Sequence, residues 1–284
     1  IKISERLSII KMEERRKIAK TASIVSGATL LSRLAGLVRD QVIGFFFGTS
    51  IATAAFSVAF RIPTLFRRLL GEGALPAAFV PVFTQTAAQE GDKAAKELFK
   101  SVFTLLALVL ALLSLLGMIF APQVVSLIVP GFHDNPEQYR LTVSLTRLLF
   151  PYIFFMGLGA LFMGALNSRG YFAAPALGPF MGNLAIIVGA VILSPRLETP
   201  IMGVALGALG GGLLQLAIQL PSLKKAGLAL RLSWNFRLPG VRKILLLMGP
   251  AALGAAVYQL SIFINTILGS YLADDNSLSY LYFA

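Results

Sequence analysis

Seven apolar stretches, each near the length that crosses a bilayer, constrain this chain more than anything else in it. They cover residues 22–47, 52–70 (running on toward 82), 99–121, 141–166, 175–193, 201–220 and 244–272, with polar or charged breaks between them. A helix of about 20 apolar residues spans the hydrocarbon core. Only 13% of the 284 residues are charged and 56% are hydrophobic, against about 25% charged in a soluble domain. Disorder and a single water-soluble core are both excluded. The expected fold is all-α and polytopic, with about seven complete spans and part of an eighth. The eighth begins after a turn at Ala273-Asp274-Asp275-Asn276 and stops at Ala284 after about two helical turns. A half-made span leaves its backbone groups without partners in lipid, so the chain is expected to be the front part of a longer protein. It opens without a methionine; Met12 offers a start, which would make residues 1–11 a non-native leader. No cleavable signal pattern precedes the first span.

The formal net charge of +12 would suggest nucleic acid in a soluble protein, but here the placement of the charges decides. With the N-terminus inside, Lys2, Arg6, Lys11, Arg15, Arg16, Lys17 and Lys20 share a side with Lys93, Lys96, Lys100, Arg169 and the basic stretch from Lys224 to Lys243. The opposite loops hold Arg140 and Arg196 among the acids Asp134, Glu137, Glu198, Asp274 and Asp275. Basic loops stay cytoplasmic, so the N-terminus is expected in the cytoplasm, and a nucleic-acid partner loses its support. The chain has no cysteine and one histidine, His133, which excludes disulfides, thiolate chemistry and histidine-cluster metal sites. Glycine-rich phosphate loops and paired catalytic carboxylates are missing too. The expectation is a non-enzyme without cofactor or metal.

What remains are charges inside the spans. Arg33 and Arg39 lie in the first, Arg61, Arg67 and Arg68 in the second, and Arg147 in the fourth, with only Asp40 and Glu72 beside them. An ionised side chain at mid-bilayer costs about 3 kcal/mol or more, so these groups must face water or one another. The expectation is a wet cavity walled by the first two helices. Arg33 and Asp40, seven residues apart, fall about 20° from one line on a helix. Arg39 points elsewhere, yet its long stem can curl to the same water. Pro63, Gly71, Gly73 and Pro76 are expected to bend or break the second helix. The two acids cannot neutralise the arginines, and an excess of guanidinium calls for an anion with phosphate or carboxylate geometry. Arg61 and Arg147 can instead snorkel to head groups. Gly203, Gly207 and Gly211 form a close-packing face, Trp234 reads as an interfacial anchor, and Asn183, Gln215, Gln259 and Asn265 serve either as helix glue or as cavity lining.

These motifs carry a resemblance. Ser32-Arg33-x-x-Gly36-x-x-Arg39-Asp40 resembles the first-helix motif of the MurJ (MviN) lipid II flippases, and Arg67-Arg68-Leu69-Leu70-Gly71-Glu72-Gly73-Ala74 with Ala78-Phe79-Val80-Pro81 resembles the next. Pro130-Gly131-Phe132, Phe150-Pro151-Tyr152, Gly211-Gly212-x-x-Gln215 and Met248-Gly249-Pro250-Ala251 follow in the family's order, from about residue 20 to the end. The resemblance implies the multidrug/oligosaccharidyl-lipid/polysaccharide exporter superfamily, with two six-helix lobes around a central cavity. Residues 1–20 would then be a basic cytoplasmic tail, 21–221 the first lobe, 222–243 a basic cytoplasmic linker and 244–284 the truncated start of the second lobe. It implies a bacterial inner-membrane flippase for lipid II, working by alternating access among membrane lipids and alongside cell-wall synthesis machinery. Arg33, Arg39 and Arg67 would engage the substrate's diphosphate, Asp40 would hold the arginines in place, and Arg68 and Glu72 would belong to the same binding site. Many family members carry Asp where this chain has Ala54, which separates it from any role attached to that acid. A related exporter of another polyprenyl-linked glycan or of a drug would share this fold. A non-transporting membrane scaffold would instead keep Arg33 and Arg39 dry.

Overall fold

The computed structural model describes residues 2–66 and 74–270, and in those residues the backbone is helical with connecting turns and no strand. Arg67, Arg68 and Glu72, the turn at 273–276 and the apolar segment 277–284 lie outside the described residues. Helix α1 runs over Lys2–Phe47, so the residues read as a tail are continuous with the first span. Among the described residues, five helical stretches are long and apolar enough to cross a membrane: Thr21–Phe47, Asp92–Ile119, Pro136–Ser168, Ala173–Arg196 and Ile201–Lys225. Each overlaps an apolar run in the sequence.

The second run forms α2 (Ile51–Phe66) and α3 (Leu75–Gln89). The two stretches have different partners. Another pair faces them: α6 (Pro136–Leu149) and α7 (Tyr152–Ser168) are divided at Phe150-Pro151. There the ring of Pro151 cannot donate to the helical ladder. Helix α2 packs on α6, and α3 packs on α7. Phe79 and Phe83 of α3 stack in a core with Phe99 and Phe162. Val58 and Ile62 of α2 join another with Leu110, Val125 and Ile153.

The third span begins earlier than its apolar run. Helix α4 covers Asp92–Ile119, opening after Gly91 at φ 89° with Asp92 in the first turn, where an acid complements the helix dipole. Lys93, Lys96 and Lys100, read as loop residues, are therefore helical; charge marked the loop in the sequence, but a helix emerging from lipid carries charge freely. A short helix α5 (Ala121–Ile128) follows immediately, opened by Pro122. Its buried Val125 and Ile128 turn what reads as an outer loop into core.

Helix α8 (Ala173–Val188) and α9 (Ile201–Ala217) pack closely, and a π-helical turn at Gly189–Leu193 leads out of α8. The glycine face acts as its spacing suggests: a Cβ on Gly207 would lie 2.6 Å from the Ala185 carbonyl oxygen, and one on Gly211 2.9 Å from that of Gly182. Helix α10 (Leu220–Lys225) and an irregular strap then lead to α11 (Pro239–Ser270). The α3–α4 turn, the turn after α7 and the strap meet on one face, since Asp92 pairs with Lys96 at 2.7 Å and with Arg169, and the Tyr171 hydroxyl donates to the Lys225 carbonyl at 3.4 Å. Those are the basic loops that the charge pattern puts on a common side.

Candidate functional site

The charged motif of α1 lies where that helix runs along α8. Gly36 lets the two approach: its missing Cβ would stand 3.5 Å from Nδ2 of Asn183 on α8. Asn183 donates from Nδ2 to the Ser32 carbonyl at 3.0 Å, and its Oδ1 accepts from Nη1 of Arg39 at 2.9 Å. Both ends of the amide are thus engaged across the helix pair, which fixes its orientation.

Arg39 curls back onto its own neighbour. Its Nε and Nη2 both donate to Oδ1 of Asp40, at 2.8 and 2.7 Å. The two side chains are 24% and 41% exposed, so this is a half-wet ion pair. A guanidinium has five N–H groups; three are used here, leaving one on each terminal nitrogen for a ligand. The helical wheel put Asp40 in line with Arg33, but the carboxylate pairs with Arg39 instead. Adjacency in sequence and the reach of the arginine stem outweigh the shared face.

Arg33 is exposed and makes no hydrogen bond or ion pair among the described residues. The described cluster is therefore net positive, with Arg39 held in a fixed orientation and Arg33 free. Charge excess on α1 is what the sequence predicts. The wall opposite α1 differs from the expected one. Helix α1 lies against α8, and it meets α2 in a cluster where Ile43 joins Ala55 and Phe56. Arg61 on α2 is half-buried, and Arg147, in the last turn of α6, is exposed.

Asn183 is the residue that sequence reasoning leaves undecided between glue and lining. Its signal is a lone amide in an apolar helix, and the structure makes it the bridge that anchors Arg39. Asn183→Ala is expected to lower stability by about 1 kcal/mol, since it removes two hydrogen bonds between α1 and α8, one of them to a charged group that is partly exposed. Thermal unfolding in detergent checks this, and a variant as stable as wild type would contradict the bridge. Gln215 packs under Gly178, where a Cβ would come within 2.7 Å of its Cγ, and so acts as packing between α8 and α9. Ala54 is fully buried beside Val58, Val125 and Ile128. A carboxylate there would enter an apolar core.

A family model described as "Lipid II flippase MurJ" matches residues 43–284. The "Lipid II flippase MurJ" of Burkholderia cenocepacia is 42% identical over 264 residues, which is 92% of this chain and 51% of that protein. The solved structure titled "Lipid II flippase MurJ, inward closed conformation" superposes with a TM-score of 0.76 at 28% identity, covering 91% of this chain and 53% of that one. An inward-facing multidrug resistance MATE family transporter of the MOP superfamily shares the fold, with a TM-score of 0.65 at 17% identity over 89% of this chain and 56% of that one. The chain spans about half the length of the curated relatives it matches.

Proposed function

Because the chain belongs to the lipid II flippase MurJ family, we propose that it forms one wall of a transporter that carries lipid II across the membrane. The observation that carries this reading is the under-neutralised arginine pair on α1: Arg39 oriented by Asp40 and Asn183, and Arg33 with no ion pair among the described residues. A diphosphate supplies the anion these groups lack, and guanidinium matches its oxygens without deprotonating at any working pH.

The head group of lipid II is too polar for hydrocarbon, while its polyprenyl tail is not. The head enters a cavity beside α1 and its diphosphate settles on Arg33 and Arg39; Arg67, Arg68 and Glu72 extend the same site. Binding relieves the repulsion between the cations and lets the inner side close. Rocking of two lobes then presents the head on the other face. No covalent bond is made or broken, so the protein works as a transporter and not as an enzyme. The division into a tail (1–20), first lobe (21–221), linker (222–243) and start of the second lobe (244–284) belongs to this proposal. So does the placement in a bacterial inner membrane with a cytoplasmic N-terminus. The gathering of Asp92, Arg169, Lys225 and the strap on one face supports it, since basic residues mark the cytoplasmic side. A cell-wall synthesis partner would take up the exported precursor.

The test is Arg33→Ala in the whole protein, in a strain that depends on it. Outward exposure of lipid II is expected to fall to background while protein abundance in the membrane stays at the wild-type level. Normal outward exposure would refute the proposal.

A further inference from the structure

The strap between α10 and α11 has an exposed apolar edge and a basic recess that the transport reading does not use. Leu228 is buried in the core, and Ser233 is tied to α4. The Ser233 N–H donates to Thr104 Oγ1 at 2.9 Å, and its hydroxyl donates to Glu97 Oε1 at 2.6 Å. Around these pins the strap is irregular, with tight turns where the Arg231 N–H donates to the Ala229 carbonyl and the Phe236 N–H to the Trp234 carbonyl, both at 3.0 Å. Leu230, Leu232 and Trp234 point away from the protein, 43%, 65% and 66% exposed. Ala229 and Arg231 line a recess of about 340 Å³ against the start of α4.

That recess is basic. Lys93, Lys96 and Lys100 line it with Arg231. Its two carboxylates are already committed: Asp92 to Lys96 and Arg169, and Glu97 to Lys100 and Ser233. Lys93 and Arg231 have no carboxylate partner among the described residues. Gly227, at φ 71°, leaves room for Lys96 to pass under the strap, since a Cβ there would stand 3.1 Å from Nζ. Further along α4, Leu108, Leu112 and Leu115 are exposed.

A row of large apolar side chains ending in tryptophan, back to back with a cationic recess, fits one environment. Tryptophan favours the membrane–water boundary, and basic residues beside an anionic leaflet are attracted to its head groups. We propose that the strap lies in the head-group layer and that its recess holds the phosphate of an anionic phospholipid. Arg231 and Lys93 contact the phosphate oxygens, while Leu230, Leu232 and Trp234 enter the acyl boundary. Free phosphate would satisfy the recess but leaves the apolar edge in water. The inference needs a chain that spans a membrane and is independent of what it transports.

Trp234 is the one tryptophan of this sequence and serves as the probe. The whole protein, with any tryptophan outside these 284 residues changed to phenylalanine, is placed in phosphatidylcholine vesicles containing a fixed minor fraction of phosphatidylglycerol. Bromine is carried on the acyl chains either of the phosphatidylglycerol or of an equal fraction of the phosphatidylcholine. Brominated phosphatidylglycerol is expected to quench Trp234 more strongly, because the anionic lipid is enriched there. The pair Lys93→Ala and Arg231→Ala should remove that enrichment, by about fivefold for each basic side chain lost. An unchanged Trp234 emission maximum in pure phosphatidylcholine reports that the strap is still seated; where it moves, Arg231→Gln alone carries the test. Excess inorganic phosphate should leave the preference intact. Equal quenching by the two lipids, a preference that survives the variants, or one abolished by inorganic phosphate overturns the proposal. Quenching by neither lipid puts the strap in water and overturns it as well.

Discussion

Arg39→Ala is expected to abolish lipid II transport while leaving a protein that still inserts in the membrane. The substitution acts three times on one spot. It removes a cation, leaves the half-buried Asp40 carboxylate without its ion pair, and leaves the Asn183 oxygen without a donor. The described cluster passes from net positive to neutral, so nothing on it attracts a diphosphate. This pair is 24% and 41% exposed, so losing it costs only about 1 kcal/mol of stability, and the loss of transport comes from the missing cation. Arg39→Lys is expected to fail as well, because an ammonium cannot engage Asp40 and Asn183 together and still offer two directed N–H groups. The double variant Arg39→Ala, Asp40→Ala separates stability from anion binding. It removes the orphaned carboxylate, so protein level should recover and transport should not. Recovery of transport in the double variant would show that Arg39 serves only to neutralise Asp40.

Gly207→Leu is expected to have the largest effect on stability. The atoms that a side chain would meet are all backbone: the Ala185 carbonyl oxygen at 2.6 Å, the Ile186 Cα at 3.0 Å and the Gly189 Cα at 3.1 Å. No rotamer change can clear them, so α8 and α9 must separate, and the cluster around Ile186, Ala190, Val204 and Ala208 opens with them. Overpacking costs about 1–3 kcal/mol where side chains can shift; against rigid backbone, at least about 3 kcal/mol is expected. Gly210→Leu on the same helix is the control, since nothing lies within 4 Å of a Cβ at that position. Heating followed by size-exclusion chromatography in detergent should give aggregate from the first variant and wild-type behaviour from the second. Equal stability of the two would mean that α8 and α9 are not in this register.

Helix positions were legible in the sequence because a bilayer imposes length and polarity together, and five helical stretches long and apolar enough to cross overlap apolar runs. Helix ends were less so. The first turns of α4 carry Asp92, Lys93 and Lys96, which read as loop, because polarity reports the edge of the membrane and not the edge of the helix. The extra helix α5 was hidden for a related reason: a proline after an apolar run can end a helix, yet Pro122 opens one at its first turn. In the site, the residue types were legible and the pairing was not. The wheel groups Arg33 with Asp40, but an arginine stem spans a wide arc, and the partner that settles its direction, Asn183, is more than a hundred residues away on another helix. Periodicity cannot report contacts between helices. A single polar residue in an apolar run can only mark that one is needed.

The way α1 is supported has a mechanical consequence. It rests along α8, while Leu30, Leu37 and Phe45 on its far side are 60%, 62% and 85% exposed. A rod braced along one edge pivots about that edge far more readily than it slides past it. Asn183 and Arg39 sit on the hinge line, and Arg33 rides on the swinging side. A tilt of α1 would thus sweep the Arg33 guanidinium through an arc while Arg39 stays put, so the position of Arg33 relative to α8 follows the lean of the helix.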